Sequence, residues 1–394
     1  MTSHTPDRTA GRLCLAWFGH GLGERADGLT TYSTEVVGGL RGRGVEVWFH
    51  HATRDGLIAP VTDDHRIGWP TWRFKTVTVP QLGFRRQMTS WLARVRPDVI
   101  HTSLSFTLED GWLGRQARAT GAATVATFHL PFGPEASGRA RVMRQLHRFW
   151  AGRLQAYQRV IVFSEAHRAR LAEAGVERSR IAVLPNAVDT EVFYPGPSVL
   201  RQTRLAGASL VVGFAGRLDP EKGVPQLLSG FLRADLGPDA RLIIAGTGAL
   251  VERVKAAQRD PRVIYLGRLL SLEERVDFWR GVDVFCLPSN AEGLSLALLE
   301  AMATGCAVAA TPEGGATLVG GVAAALDPKA LSESVSQQLQ FLMQEPGELR
   351  RRGVMARGEA ERHHGMSAML DRLLGIYAEC LGWAAVDASS SGKP

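Results

Sequence analysis

Two glutamates eight residues apart frame the stretch PSNAEGLSLALLEAMATG, residues 288–305. Leu294 to Ala303 reads as a helix of Leu, Ala and Met, and Glu300 is the one charged residue from Gly293 to Pro312. An unpaired carboxylate in such a setting costs several kcal/mol. Glu300 therefore needs either a structural Arg or Lys, or a helix end that meets a ligand. A pair of ribose hydroxyls would serve, because one carboxylate can accept from both. Glu292 falls in the loop after the strand-like run DVFCLPS, where a sugar could reach it. The helix start behind Gly293 adds backbone N–H groups.

A second cluster lies in GFAGRLDPEKG, residues 213–223. A strand ends in Gly216-Arg217, and Lys222 follows five residues on as a helix begins. The planar fork of Arg217 and the compact cation of Lys222 suit a diphosphate at a helix N-terminus. The same segment also reads as a surface turn in which Asp219 and Glu221 neutralise both cations. His129, in ATVATFHLPFG, sits at the carboxyl end of a strand ahead of a Pro/Gly loop, and is either structural or catalytic. The Gly-rich turn FGHGLGERADGLTTYSTEV enters a helix near Gly28, which lets backbone approach phosphate. The second strand, VEVWFHH, ends in His50 and His51 with no acid, which argues against a nicotinamide dinucleotide.

The elements that must position these residues alternate short apolar strands with amphipathic helices. LCLAWFG, VEVWFHH, DVIHTS, ATVATFH, RVIVFS and IAVLP read as strands in the first half, with helices at 28–43, 84–95, 137–157 and 165–175. SLVVGFAG, RLIIAGTG, RVIYLG, DVFCLPS and CAVAAT follow in the second, with helices near 222–235, 249–258, 271–280 and 295–304. Helices near 328–345, 347–362 and 366–382 close the chain. Continuous apolar strands between helices imply parallel sheets covered on both faces. At 394 residues the chain is too long for one core, so two doubly wound α/β domains are expected. Pro and Gly between residues 190 and 205 mark the linker. In such sheets ligands bind beyond the carboxyl ends of the strands, and the candidate residues follow strands.

Charge is unevenly spread. Residues 1–197 hold 25 Lys and Arg against 17 Asp and Glu, and the rest hold 21 against 22. The basic first half suits an acidic partner such as phosphate, nucleic acid or an anionic lipid. Helix 137–157 carries five arginines opposite an apolar face that includes Val142, Leu146, Phe149, Trp150, Leu154 and Tyr157. Helix 84–95 starts with Arg85 and Arg86. Either helix could lie on a membrane surface or pack on its own sheet. No run is long enough to span a membrane. The first residues lack a signal-peptide pattern, and the four cysteines are scattered. A cytoplasmic protein without structural zinc or disulfides is expected.

Together, GFAGRLDPEKG and PSNAEGLSLALLEAMATG resemble two signature segments of the retaining nucleotide-sugar glycosyltransferases of family 4, also called glycosyl transferases group 1. The two glutamates match that family's E-x7-E motif. RPDVIH, RVIVFSE, VLPNAVDTEVF and GTG (246–248) agree in order along the chain. The resemblance implies the GT-B fold, two Rossmann-like domains with the active site between them. Residues 1–197 would form an acceptor domain and 198–365 a donor domain. Helix 366–383 would cross back to the first domain, ahead of a disordered tail, 384–394. It also implies roles: Arg217 and Lys222 on the donor diphosphate, Glu300 on the ribose, and Glu292 on the transferred sugar. Backbone amides of Gly293, Leu294 and Ser295 would serve the sugar and phosphate. His129 would stand beside the sugar, Gly28, Gly216 and Gly248 near the donor, and Arg268 near the base. Ser295 departs from the family's usual Gly. The stretch after TPEGGATLVGG is shortened, close to the family's sugar-specificity loop.

The expected donor is a UDP- or GDP-sugar, with no further cofactor and no metal. The expected acceptor is a lipid or another anionic envelope precursor at the inner face of a membrane, and no nucleic acid is expected. The alternatives are a soluble acceptor, a nucleotide-sugar binder without transfer, or an epimerase working in the same cleft.

Overall fold

The apolar runs become two separate parallel sheets. The structure is a computed structural model describing residues 12–19, 28–53, 65–74, 77–80, 82–104, 108–129, 148–290, 292 and 294–383. Its described residues divide into two compact units. One holds those up to Leu184 together with those from Met369 onward, and the other holds Pro185–Ala368. This partition falls ahead of the 190–205 stretch that the Pro/Gly pattern marks. Residues beyond that point pack into the second unit, where Ser198 and Leu205 are buried.

The first unit carries an eight-stranded sheet in the order β4-β3-β2-β1-β5-β6-β7-β8. Its strands are β1 (Cys14–Gly19), β2 (Glu46–Thr53), β3 (Arg66–Phe74), β4 (Val77–Pro80), β5 (Val99–Ser103), β6 (Ala123–Thr127), β7 (Arg159–Val162) and β8 (Ile181–Val183). Helices α1 (Gly28–Gly42), α2 (Phe84–Val95), α3 (Leu108–Ala119), α4 (148–154) and α5 (Glu165–Glu173) connect them. β3 and β4 are absent from the sequence-based reading, because Pro70 and Pro80 break the apolar runs. Their pairing is antiparallel, so the all-parallel expectation fails at this edge.

Alternation along the strands sorts side chains onto two faces. Cys14, Ala16 and Phe18 join Trp48, Met88, Trp91 and Ile100 in an apolar cluster. The opposite face is partly polar. Trp17 pairs in register with His101, and Ser103 with Thr127. The His101 ring stacks on Trp17 at 4.1 Å, its Nδ1 lies 2.6 Å from the Tyr377 hydroxyl, and its Nε2 lies 2.8 Å from Thr127 Oγ1. Tyr377 stands on the last helix, α13 (Met366–Leu381), with Leu370 against Gly39 of α1.

Burial, with the nearby His129, pushes the His101 pKa down to about 3. The unfolded chain takes up that proton near pH 6.5. The stability due to His101 is thus complete above about pH 6.5 and is lost as pH falls towards 3, by about 1.4 kcal/mol per unit. Buried His50 acts in the same direction. Urea midpoints measured from pH 7 to 5 should fall in the wild type and fall less steeply in His101→Gln.

The basic helix differs from its expected form. Residues 131–147, with Val142 and Leu146, lie outside the described residues. In α4, Trp150 and Leu154 are buried, but Phe149 is exposed and the Arg153 guanidinium lies 3.6 Å from its ring centroid. The cation covers a ring that the apolar spacing assigns to the core. Tyr157 is buried beyond the helix end, its hydroxyl donating to the Asp110 carbonyl at 2.5 Å. Arg85, at the start of α2, is bonded to Glu109, at 2.8 Å from Nε, which offsets the unfavourable dipole. The 384–394 tail lies outside the described residues.

The second unit is a six-stranded parallel sheet ordered β11-β10-β9-β12-β13-β14. Its strands are β9 (Leu210–Ala215), β10 (Ala240–Ala245), β11 (Val263–Gly267), β12 (Val284–Leu287), β13 (Ala307–Ala310) and β14 (Ala324–Ala325). Around it lie α6 (Val199–Gln202), α7 (Val224–Arg233), α8 (Val251–Ala257), α9 (Leu272–Arg280), α10 (Leu296–Ala303), α11 (Leu331–Gln344) and α12 (Pro346–His363). The strand order reverses between β9 and β12, which are hydrogen-bonded neighbours. Loops that leave adjacent strands in opposite directions open a crevice at their carboxyl ends.

Candidate active site

The loops after β9 and β12 are those that carry the two charged motifs. Residues 216–223 leave β9, and residues 288–295 leave β12. They are tied together by backbone: Asn290 N donates to the Glu221 carbonyl at 2.8 Å, and Ser289 Oγ donates to the same oxygen at 3.2 Å. On the other side, Leu218 N donates to Thr247 O at 2.9 Å and Leu250 N to Leu218 O at 2.8 Å. The first loop is therefore held between the GTG turn and the Glu292 loop.

Two glycines permit this approach. Gly223 has φ +69°, and a Cβ there would lie 1.9 Å from the Pro288 carbonyl oxygen. Gly246 has φ +137°, and its Cβ would lie 1.8 Å from Gly216 O. Side chains strain such backbone by about 1–3 kcal/mol before any clash. Gly223→Ala is expected to lower stability by about 2 kcal/mol or more, read as a fall in the denaturation midpoint. An unchanged midpoint would show that the loops can separate freely.

Lys222 and Glu292 form an ion pair, with side chains only 12% and 16% exposed. Arg217 is more open, at 53%, and its guanidinium holds Asp219 through Nη1 and Glu221 through Nη2, the latter at 3.0 Å. These are the carboxylates that the surface-turn alternative requires. Asp219 is also anchored through Oδ1, which accepts from Ala249 N at 3.1 Å. The arrangement keeps two cations on the loop that leaves β9, each held by carboxylates.

Glu300 is buried, at 7% exposure. Its Oε1 accepts from Arg275 Nη2, and its Oε2 accepts from Trp279 Nε1 at 2.7 Å. Both donors stand four residues apart on one face of α9. That helix starts at a capping box in which Ser271 accepts from Glu274 N and Glu274 reaches back to the Ser271 N–H. The acid among leucines thus has the structural Arg partner that sequence reasoning weighed as an alternative. A carboxylate accepts about four hydrogen bonds, so these two donors leave capacity for a ribose.

Gly216 N donates to Ala245 O at 3.1 Å, and Gly248 packs on Leu218 O. Leu294 is buried, and its carbonyl accepts from Asn186 Nδ2 at 2.6 Å. Ser295 is the N-cap of α10, with no capping bond from its side chain. Arg268 follows β11 and is half-buried. Gly293 lies outside the described residues. Gly28 is the exposed first residue of α1, and residues 20–27 ahead of it lie outside the described residues.

His129 belongs to the first unit, two residues beyond β6. It is half-buried, with Nε2 2.8 Å from Ser103 Oγ and with the Tyr32 and Phe163 rings at 5.0 and 5.2 Å. Among the described residues no group of three or more His, Cys, Asp or Glu side chains could hold a metal ion, and no helix is long and apolar enough to cross a membrane.

Sequence reasoning missed Arg275, Trp279, Asn186 and Ser103. The i, i+4 spacing of Arg275 and Trp279 was a usable signal. Asn186 and Ser103 act through contacts distant in sequence and left no local pattern.

Two doubly wound α/β units, one with cations and acids at its topological switch point, define a protein of the Rossmann-like α/β class. Comparison with known proteins narrows this. A family model described as Glycosyltransferase Family 4 matches residues 26–192, and one described as Glycosyl transferases group 1 matches 209–344. The chain belongs to this glycosyltransferase family. It is 31% identical over 226 residues to the UDP-Gal:alpha-D-GlcNAc-diphosphoundecaprenol alpha-1,3-galactosyltransferase of Escherichia coli, covering 54% of this chain and 57% of that one. It is 30% identical over 257 residues to the GDP-mannose-dependent alpha-mannosyltransferase of Mycolicibacterium smegmatis, covering 64% and 65%. The chain thus spans well over half, but less than two thirds, of each of these relatives. Among solved structures, sucrose-phosphate synthase from Thermosynechococcus elongatus shares the fold with a TM-score of 0.76 and 20% identity, over 94% of this chain and 100% of that chain. The fold is GT-B.

Proposed function

We propose that the protein is a retaining glycosyltransferase that moves a sugar from a nucleoside-diphosphate-sugar to an acceptor. The observation that carries this reading is the grouping of Arg217, Lys222, Glu292 and Glu300 within one unit, around the strand reversal between β9 and β12. Relatives named for UDP-galactose and GDP-mannose support a UDP- or GDP-sugar donor.

In this reading Arg217 and Lys222 bind the diphosphate, and Gly216 and Gly248 let backbone come close to it. Glu300 accepts from the ribose while Arg275 and Trp279 hold its other lone pairs. Glu292 turns from Lys222 to the sugar hydroxyls. The amides of Gly293, Leu294 and Ser295 assist, Arg268 lies towards the base, and Gly28 serves the donor phosphates from the N-terminal glycine loop. The second unit carries the donor, and the first carries the acceptor and His129, which orients the sugar.

The bond between the anomeric carbon and the diphosphate oxygen breaks, and negative charge grows on the leaving group. Cations already in place stabilise that charge without reorganisation. The sugar becomes oxocarbenium-like. The acceptor oxygen bonds to the anomeric carbon from the leaving-group face, and its proton passes to the departing phosphate. Configuration is retained, and no side chain is needed as a covalent nucleophile.

The basic first half favours an anionic acceptor, such as a lipid precursor at the inner face of a membrane, over a neutral soluble one. Co-sedimentation with vesicles containing anionic phospholipid should show binding that weakens with salt. Absence of binding at low salt would remove the lipid acceptor and leave the soluble one.

The donor reading is tested by thermal unfolding with UDP-, GDP- and ADP-sugars. A ligand at a hundred times its Kd stabilises by about 2.7 kcal/mol, so one base should stand out. No shift with any of them would overturn donor binding. A shift without sugar transfer or hydrolysis would favour a binding protein, and isomerised donor without acceptor would favour an epimerase.

A further inference from the structure

We propose that Ser103 is a positioning residue for His129, its hydroxyl fixing the plane of the imidazole that faces the sugar. The inference rests on the role proposed above for His129. Ser103 ends β5 with no exposed surface, and its Oγ is 2.8 Å from His129 Nε2. β5 and β6 pair in register Ser103↔Thr127, so the strand ladder sets where the hydroxyl stands. His129, two residues past Thr127, continues the same side of its strand.

Aromatic rings pack around this contact. The Tyr32 ring meets His129 edge-on, at an interplanar angle of 76°, and Phe163 packs at 5.2 Å. Tyr32 OH lies 3.5 Å from Thr127 Oγ1, which also meets His101 Nε2, and His101 meets Tyr377. The titratable groups that the structure sets near His129 therefore include Tyr32 on α1 and His101 on β5. Burial holds His101 neutral and pushes the Tyr32 hydroxyl up to about 12, so neither brings a charge that would orient the ring. A neutral imidazole donates at one nitrogen and accepts at the other. The Ser103 hydroxyl can pair with either form of Nε2, since it both donates and accepts, so what its fixed place on β5 sets is the plane of the ring.

Full-length protein labelled with 15N in its histidines provides the first test, with the His129 ring signals identified by their loss in His129→Ala. In the wild type the Nε2 signal should be displaced from that of a solvated imidazole by its hydrogen bond to Ser103. In Ser103→Ala that signal should move towards the value of a solvated imidazole, and Ser103→Cys, which keeps the size and a weak donor, should move it less. Ring signals that do not move in Ser103→Ala overturn the proposal.

The second test is hydrolysis of UDP-glucose or GDP-mannose, whichever stabilises the protein, in a double-mutant cycle. Ser103→Ala should lower kcat about ten-fold, the effect of one hydrogen bond, with KM within about two-fold. In a His129→Ala background the same change should have no further effect. An undiminished loss in that background would mean that Ser103 acts by general packing, and would overturn the proposal. Normal turnover in His129→Ala would instead overturn the role of His129 itself, and this inference with it.

Discussion

Replacing Lys222 with Ala should lower turnover of the donor by about 10²–10³-fold. The reason is the timing of charge. The diphosphate gains negative charge only as the anomeric bond breaks, so a preplaced cation contributes more to the transition state than to binding. Lys222 is well suited to this, since its side chain is 12% exposed and solvent competes little with it. Arg217→Ala should fall in the same range, with a difference in kind. Arg217 is 53% exposed and already held by Asp219 and Glu221. Its loss would leave those two carboxylates unneutralised beside the proposed diphosphate, so it should raise KM for the donor as well as lower kcat. Steady-state kinetics on folded variants separates the two. Near-normal kcat in Lys222→Ala would remove the electrostatic account of the site.

The second large effect concerns stability. Arg275→Met should destabilise the second unit by about 3 kcal/mol, because it strips a buried carboxylate of its ion-pair partner. Trp279 Nε1 would remain as the one side-chain donor of this pair to Glu300. For a unit of this size each kcal/mol corresponds to about 2–4 °C, so the unfolding transition should drop by roughly 6–12 °C. Glu300→Gln behaves differently in this account. It keeps one oxygen and removes the buried charge, so it should cost less stability than Arg275→Met while weakening nucleotide binding. Calorimetry with UDP and GDP and thermal unfolding, run on both variants, measure the two roles apart. If Glu300→Gln binds nucleotide as the wild type does, Glu300 serves the fold alone.

Sequence pattern carried the architecture well where burial and period agreed. The 84–95 helix was bounded to the residue, because Met88, Trp91, Leu92 and Val95 form one buried stripe. The reading failed where a strand was interrupted, as in β3 with Pro70. It failed again where an aromatic on an apolar stripe is covered by its own neighbour's guanidinium, as Phe149 is by Arg153. At the site, residue types and spacing were enough to pick out Arg217, Lys222, Glu292 and Glu300. Their present partners were not equally legible. Asp219 and Glu221 are near in sequence to Arg217 and could be named. Arg275 reaches Glu300 from another helix, and Ser103 reaches His129 from another strand, so only the folded sheet and its packed helices bring them together.

The most direct measurement is a crystal structure of the protein with the nucleotide-sugar that most raises its unfolding temperature. The diphosphate should lie within hydrogen-bond distance of Arg217 and Lys222, with Glu292 on the sugar and Glu300 on the ribose. A donor bound elsewhere, with Lys222 still on Glu292 and Arg217 still on Asp219 and Glu221, would contradict this arrangement.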